Sequence, residues 1–508
     1  MKISRLAFAL GATSSAMLMA WVSGCGAAGA SLSANAGGAG VGGAGVGNSG
    51  SGVGSSGTGA GDSSGSAGGS LLTTTGGFGG STPECTGLQC QIHACSGGGS
   101  TTITGKIYDP AGKNPLYSVV AYVPNTKPAA FTPGASCYSC SDLYTGDPIA
   151  SAVTDPTGSF TITKAPDGAN IPLVIQVGKW RRQFVIPNVT MCGATALPDG
   201  MLTLPKNGGE GDIPNIAIST GSADTLECLL VRVGLDESEY TPGPGGTGHI
   251  HIFQGDQGDN GEPNTSPSAP YAPAALWDSD ASINLYDIVM LSCEGKETLD
   301  MNQQVLFDYA KGGGRVFASH YHYAWFNTGP FGGANLAEWM TGSGTLGNIN
   351  AKPVTTTWAG AVFQRGQDFA SWLANVGALT NGELPIVAAR KNSDVTMSNT
   401  PSQPWLIGDQ NSGANGWSQD FTFDTPIGVP AAMQCGRIAY SDMHVAGATN
   451  DYQGTGGMGH PGQKITPTGC LQADLSPQEK ALEFILFDLS SCVTENNMVM
   501  PPPPPPPM

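Results

Sequence analysis

The stretch from Leu285 to Phe326, LYDIVMLSCEGKETLDMNQQVLFDYAKGGGRVFASHYHYAWF, constrains the fold more than any other. Ile288 to Leu291 is an apolar run of strand length, entered through Tyr286 and Asp287. Leu306, Phe307, Tyr309 and Ala310 then recur at helical spacing. Gly312, Gly313 and Gly314 stop that helix, and a second apolar run, Arg315 to Ser319, follows at once. Strand, helix, glycine stop and strand make one βαβ unit, which predicts a parallel sheet with right-handed crossovers. Ligands of open α/β sheets bind at the carboxyl ends of the strands. His320-Tyr321-His322 stands at such an end.

The ends of the chain are of another kind. Lys2 and Arg5 precede the apolar segment Leu6 to Val22, the pattern of a signal peptide over residues 1–25. Its last residues, Val22-Ser23-Gly24-Cys25, resemble the lipobox of bacterial lipoproteins. The resemblance implies cleavage before Cys25 and acylation there, with palmitate-type chains inserted in membrane lipid; several chains are needed because one gives only reversible anchoring. Gly26, in place of an aspartate after the cysteine, implies an outer-membrane or surface location. Residues 26–80 are almost wholly Gly, Ser, Ala and Thr, so a disordered tether spanning about 40 Å is expected. The tail 494–508 carries seven consecutive prolines, a stiff rod without a packing surface. A net charge of −18, from 39 acidic and 21 basic residues, argues against nucleic acid and anionic lipid as partners and favours solubility or cation binding.

Twelve cysteines, less Cys25, leave eleven: five disulfides and one free thiol. The pairing is open. Cys137-Tyr138-Ser139-Cys140 has the spacing of a redox or zinc half-site, but in an exported chain structural disulfides are expected. Cys470 and Cys492 flank the last helix and are candidates to pair, as are Cys293 and Cys435.

Residues 81–220 show short β-type runs separated by turns such as Asp155-Pro156-Thr157-Gly158, the spacing of a small all-β sandwich. Gly105, Pro115-Leu116, and Thr154-Asp155 with Gly158 and Phe160 resemble the carboxypeptidase regulatory-like, or transthyretin-like, domain, interrupted here by an insertion over 125–148. Members of that family are accessory modules. Lys179-Trp180-Arg181-Arg182 is expected at a solvated hairpin tip.

Residues 225–493 carry the α/β pattern. Leu226 to Gly234 is expected as its first parallel strand, Asn335 to Met340 as a short helix, Gln367 to Val376 as a helix, and Gln403 to Thr425 as an ordered surface loop. Cys435 to Val445 is expected as a strand with Asp442 and His444 at its exit. Ser476 and Glu479 form a capping box in front of the helix Pro477 to Leu489.

Six of seven histidines lie in this part: His249, His251, His320, His322, His444 and His460. His-Ile-His, His-Tyr-His and Asp-Met-His alternate, and alternate residues of an extended segment share a face. His320, His322, Asp442 and His444 are therefore the expected ligand-binding residues. His320, His444 and Asp442 are the catalytic candidates. His249, His251, His320 and His444 are the candidate ligands for Zn²⁺ or Fe²⁺. Trp325, Trp339, Trp358, Trp405 and Trp417 are candidates to line a sugar cleft.

Tyr286-Asp287, Tyr309, Gly312 to Gly314, His320, Gly436-Arg437, Tyr440 and His444 resemble the motifs of the ThuA-like branch of the class I glutamine amidotransferase superfamily. The resemblance implies a flavodoxin-like α/β domain with a parallel sheet and a link to carbohydrate metabolism. It also disfavours glutamine hydrolysis, since His320 stands where the amidotransferases place their nucleophilic cysteine. Three functions follow as expectations: an envelope lipoprotein binding a polar ligand such as a carbohydrate or surface glycan, a metal-assisted carbohydrate-active hydrolase or isomerase, or a structural envelope protein.

Overall fold

A computed structural model describes residues 85–493 apart from 139, 256–268, 299–301, 343, 409–415, 446–466 and 468. Cys25, the tether, His460 and the proline tail lie outside the described residues.

The described residues between 102 and 203 form eight strands: β1 (Thr102–Tyr108), β2 (Val120–Pro124), β3 (Pro148–Val153), β4 (Ser159–Thr163), β5 (Gly168–Val177), β6 (Trp180–Val189), β7 (Ala194–Ala196) and β8 (Leu202–Thr203). They pair into two four-stranded sheets, one built on β1 with β4, β7 and β8, the other in the order β3-β2-β5-β6. Alternation sets the inward face: Phe160 and Ile162 of β4 are buried while Thr161 and Thr163 are exposed. The hairpin tip expected at Lys179 is not solvated. Lys179 and Arg181 are buried, Lys179 Nζ donating to Thr132 O, Gly134 O and Asp287, and Arg181 pairing with Asp212 over the Phe131 ring. The apolar stems and paired heads of these cations let them fill an interface that a charge count assigns to solvent.

Twelve strands follow: β9 (Ile216–Ser219), β10 (Tyr240–Pro242), β11 (Ile250–Phe253), β12 (Ile288–Leu291), β13 (Arg315–Ser319), β14 (Glu338–Trp339), β15 (Thr345–Pro353), β16 (Leu384–Arg390), β17 (Ser393–Asp394), β18 (Ser402–Gly408), β19 (Ser418–Thr425) and β20 (Gly436–Ser441). Ten of them make one mixed sheet in the order β10-β11-β9-β12-β13-β20-β19-β18-β15-β16. The first six run parallel and the last four are added antiparallel. The central βαβ unit is as expected, with helix Gln303–Lys311 joining β12 to β13. That helix and Tyr323–Asn327 cover one face; Leu226–Val233, Gln364–Asn375 and Pro477–Ser490 cover the other. Among the described residues no helix is long and apolar enough to cross a membrane.

Three expectations are corrected. Leu226–Val233 is a helix stopped by Gly234 in the left-handed region, not a strand. Its eight residues are buried, Glu227 and Arg232 included, and a mostly apolar run of this length suits a buried strand as well as a short helix. The first parallel strand is instead Ile216–Ser219. Asn335 to Met340 contains β14, which pairs with β17 as a two-stranded ribbon. Gln403 to Thr425 contains most of β18 and all of β19, whose polar residues misled the loop reading because most of them are buried in the sheet, some with partners, as Trp405 Nε1 donates to Thr422 Oγ1 (2.9 Å). The capping box of the last helix is present as expected.

Five disulfides form among the described residues: Cys85–Cys90, Cys95–Cys192, Cys137–Cys435, Cys140–Cys492 and Cys228–Cys470. Cys137 and Cys140 thus pair with separate distant partners, as structural cross-links and not as a redox or zinc half-site. The expected Cys470–Cys492 pairing does not form, nor does Cys293–Cys435. Among the described residues Cys293 is the free thiol, and it is buried. The core of the sandwich is continuous with that under the last helix, Tyr117 stacking on Phe484 and Trp180 meeting Phe487 edge to face.

Candidate metal centre at the carboxyl edge of the sheet

Strands β12, β13 and β20 are neighbours and parallel, so their carboxyl ends release the chain side by side. Leu291 is in register with Ala318, and Ser319 with Ser441. Carried forward along the strands, that register sets Cys293 beside His320 and brings the Asp442-Met443-His444 exit next to both. The Cys293 amide donates to Ser319 Oγ (2.9 Å), which closes the first gap.

His320 leaves β13 with φ +42°, a left-handed conformation that costs a non-glycine residue roughly 1–3 kcal/mol. Its surroundings hold it there. Tyr440 Oη donates to His320 O (2.7 Å), and the ring Nε2 lies 3.0 Å from Asn392 Oδ1. Asn392 Nδ2 spends its two hydrogens on Met340 O and Gly342 O, so its Oδ1 can only accept. The His320 proton therefore sits on Nε2, and the lone pair of Nδ1 faces Cys293 Sγ at 3.3 Å. An imidazole fixed through its far nitrogen in this way is the arrangement of a metal-ligating histidine.

His444 supplies the third group. Its ring lies 4.9 Å from that of His320 at 69°, it is 1% exposed, and neither ring nitrogen has a hydrogen-bond partner among the described residues. One potential donor atom from each of Cys293, His320 and His444 lies within 4.8 Å of the others. Burial pushes the Cys293 thiol up to about 12, brings His320 down to about 3, and lowers His444 well below the usual imidazole range. Without an ion, the three groups are a neutral thiol and two neutral imidazoles. The trio fits a metal ion on two grounds: the buried nitrogens of His444 need a partner, and thiolate with two imidazoles is a common donor set for borderline metals. These residues can hold a metal ion.

Asp442 stands behind the trio and does not join it. Its Oδ2 accepts from the amides of Asn392 and Ser393 and from Ser393 Oγ, each at 2.9 Å, which positions Asn392 against His320. Burial pushes Asp442 up to about 7.

Three expected ligands lie elsewhere. Residues 320–322 form a 3₁₀ turn and not an extended segment, so His322 diverges from His320; its Nδ1 lies 3.2 Å from Ser319 O and its ring meets Trp325. His249 precedes β11, at the amino edge of the sheet, where it pairs with Glu239. His251, within β11, has Nδ1 2.8 Å from Tyr286 Oη and Nε2 3.1 Å from Gly248 O. Four or five strand residues separate the two edges, about 15 Å, so His249 cannot share an ion with His320 and His444. The His-Ile-His alternation tells which side of a strand is polar but not which end of the sheet it occupies.

Cys293 and Asn392 were not among the expected ligand-binding, catalytic or metal residues. The odd cysteine count announces one free thiol, and Cys293 follows an apolar run as His320 does. Asn392, in the link between β16 and β17, carries no local signal.

No family model matches the chain, and no curated protein matches it. Among solved structures the chain is similar to two interface mutants of a type II cohesin-X-dockerin complex from Acetivibrio cellulolyticus. One is 19% identical, over 24% of this chain and 76% of that one, with a TM-score of 0.14. The other is 18% identical, over 27% and 85%, with a TM-score of 0.16. A 9R-lipoxygenase from Cyanothece PCC8801 is 20% identical over 20% of this chain and 17% of that one, TM-score 0.11. Likeness of this degree supports no inference about fold or function.

Proposed function

We propose that the protein is an exported, lipid-anchored metalloprotein in which Cys293, His320 and His444 hold Zn²⁺ or Fe²⁺, and that it acts on a polar, carbohydrate-class substrate as a hydrolase or isomerase. The observation that carries the metal is the pair of partnerless nitrogens on buried His444, beside the thiol and the directed lone pair of His320. Three protein ligands leave one coordination position for a substrate or water oxygen, the pattern of catalytic and not structural sites; a bound ion would supply Lewis acidity and convert the thiol to thiolate. The chain's own part is to keep the donors dry and oriented. Asn392 fixes the His320 tautomer, Asp442 fixes Asn392, and Tyr440 holds the left-handed turn.

The ThuA-like, flavodoxin-like reading is supported by the packing of its motif residues. Tyr309 Oη donates to Tyr286 O, Gly314 lies under the Tyr309 ring, and Gly436 lies against Ala310 O, where a Cβ would come within 1.8 Å. The regulatory-like reading of the sandwich has similar support: Gly105 packs on Phe160, and Thr154 Oγ1 donates to Leu116 O. Five disulfides suit an oxidising compartment.

Metal analysis of protein purified without a histidine tag tests the reading. One equivalent of zinc or iron per chain, lost in His444→Ala, is expected; folded protein that takes up neither metal from a micromolar solution overturns it. A second reading has its own observation, the Cys293–His320–Asn392 chain of contacts, which orders a thiol, a base and an orienting amide as in a thiol hydrolase. Rapid alkylation of native metal-free protein at Cys293 by iodoacetamide, at neutral pH, would favour it. The upward displacement of the thiol counts against a resting thiolate nucleophile.

A further inference from the structure

Of the tryptophans considered as a sugar platform, Trp325 and Trp405 are core residues, whereas Trp358 is 48% exposed. Its exposure is built in. Gly360 N donates to Thr357 O and Thr357 N to Ala361 O, both at 2.9 Å, and Thr356 bridges Val362, so a short hairpin carries Trp358 at its tip. Gly360, with φ +77°, supplies the left-handed residue that closes such a loop. Trp358 makes no ring contact with another aromatic or cation among the described residues. Beside it opens a groove of about 470 Å³ lined by Lys352, Thr355, Thr357, Gln403 and Ile407, within the size range of small-molecule sites.

We infer that this groove is a binding subsite for a neutral oligosaccharide, with Trp358 stacking on the apolar face of a pyranose ring and the threonine hydroxyls meeting its hydroxyls. The alternatives fit less well. An extended peptide adds to a sheet by pairing with a free strand edge, whereas at the groove Lys352 and Pro353 pair with β18 and Thr355 O already accepts from the Phe363 amide. An anionic glycan meets a chain of net charge −18, whose one lysine in the groove already pairs with Glu383 (3.5 Å). A neutral ligand with one apolar face and a hydroxyl rim remains.

The position agrees with this role. Pro353 is in register with Leu406, Leu406 with Asp420, and Asp420 with Ser441 at the end of β20. The groove therefore lies near the carboxyl edge that carries the metal centre, three strand spacings or about 14 Å along it. The inference rests on the carbohydrate part of the proposed function and not on the metal.

The test is calorimetric titration of the full-length protein in detergent with cellohexaose, maltohexaose, mannohexaose and chitohexaose, and with polygalacturonate as the anionic probe. At least one neutral hexasaccharide is expected to bind, Trp358→Ala to weaken it about tenfold or more, and Trp358→Phe to restore most of the affinity. An exposed turn residue is removed, so the far-ultraviolet spectrum of Trp358→Ala should match the parent. Titration repeated in EDTA should retain the difference between the parent and Trp358→Ala, which separates this site from the metal. Absence of binding by all four neutral sugars, binding of polygalacturonate alone, or unchanged affinity in Trp358→Ala overturns the inference.

Discussion

Replacing His444 by leucine asks the metal centre a question with opposite answers in its two states. The imidazole is 1% exposed and has two nitrogens without partners among the described residues. Each unpaired buried polar group costs about 1–3 kcal/mol, so two cost about 2–6 kcal/mol. Leucine has a similar volume and no polar atom, so in EDTA His444→Leu should be more stable than the parent by about 2 kcal/mol or more. Zinc at a thousandfold excess over its dissociation constant should then stabilise the parent by about 4 kcal/mol and the variant hardly at all. Urea unfolding followed by tryptophan fluorescence, with disulfides intact, reads both quantities. A variant less stable than the parent in EDTA, or equal stabilisation of both by zinc, would refute the reasoning.

Arg437 of β20 is fully buried between Asp424 of β19 and Asp488 of the last helix. Arg437→Met leaves buried carboxylates short of a partner and should cost about 3–5 kcal/mol in guanidinium unfolding; a loss under 1 kcal/mol would show that Arg365 alone satisfies Asp488. Glu483 and Asp109 meet where the last helix packs on the sandwich, and burial pushes both carboxyls up, Glu483 well above the usual range. The folded chain then keeps a proton that the unfolded chain has lost, so stability falls as pH rises above the ordinary carboxylate range, by up to about 1.4 kcal/mol per pH unit for each such proton. Glu483→Gln should flatten the pH dependence measured by urea unfolding between pH 4.5 and 8, and an unchanged slope would contradict the assignment.

What the sequence made legible divides along physical lines. Three glycines after an amphipathic run can only end a helix, so the β12-helix-β13 unit was open to inspection, as was the last helix with its capping box. His320 and His444 were legible because each follows an apolar run that had to be a parallel strand. His322 was misplaced because the backbone turns tightly at residue 320, a left-handed residue that no local preference announces. His249 was misplaced because an alternating pattern has no polarity. Leu226–Val233 was ambiguous because a mostly apolar run of eight residues has a length that suits a buried strand as well as a short helix. Cys293 was visible after its apolar run, but which cysteine stays unpaired is a property of the three-dimensional arrangement and not of spacing.

The two cross-links from Cys137 and Cys140 stitch the insertion in the sandwich to residues near the far end of the chain. An endoprotease cutting anywhere between residues 141 and 434 would leave its fragments covalently joined, and the nick would show only on a reducing gel. The same stitching ties the sandwich at two points, just before β20 and just after the last helix. One of the two anchors, Cys435, directly precedes the strand whose exit carries His444, so a cross-link to the sandwich braces the frame that aims the buried trio.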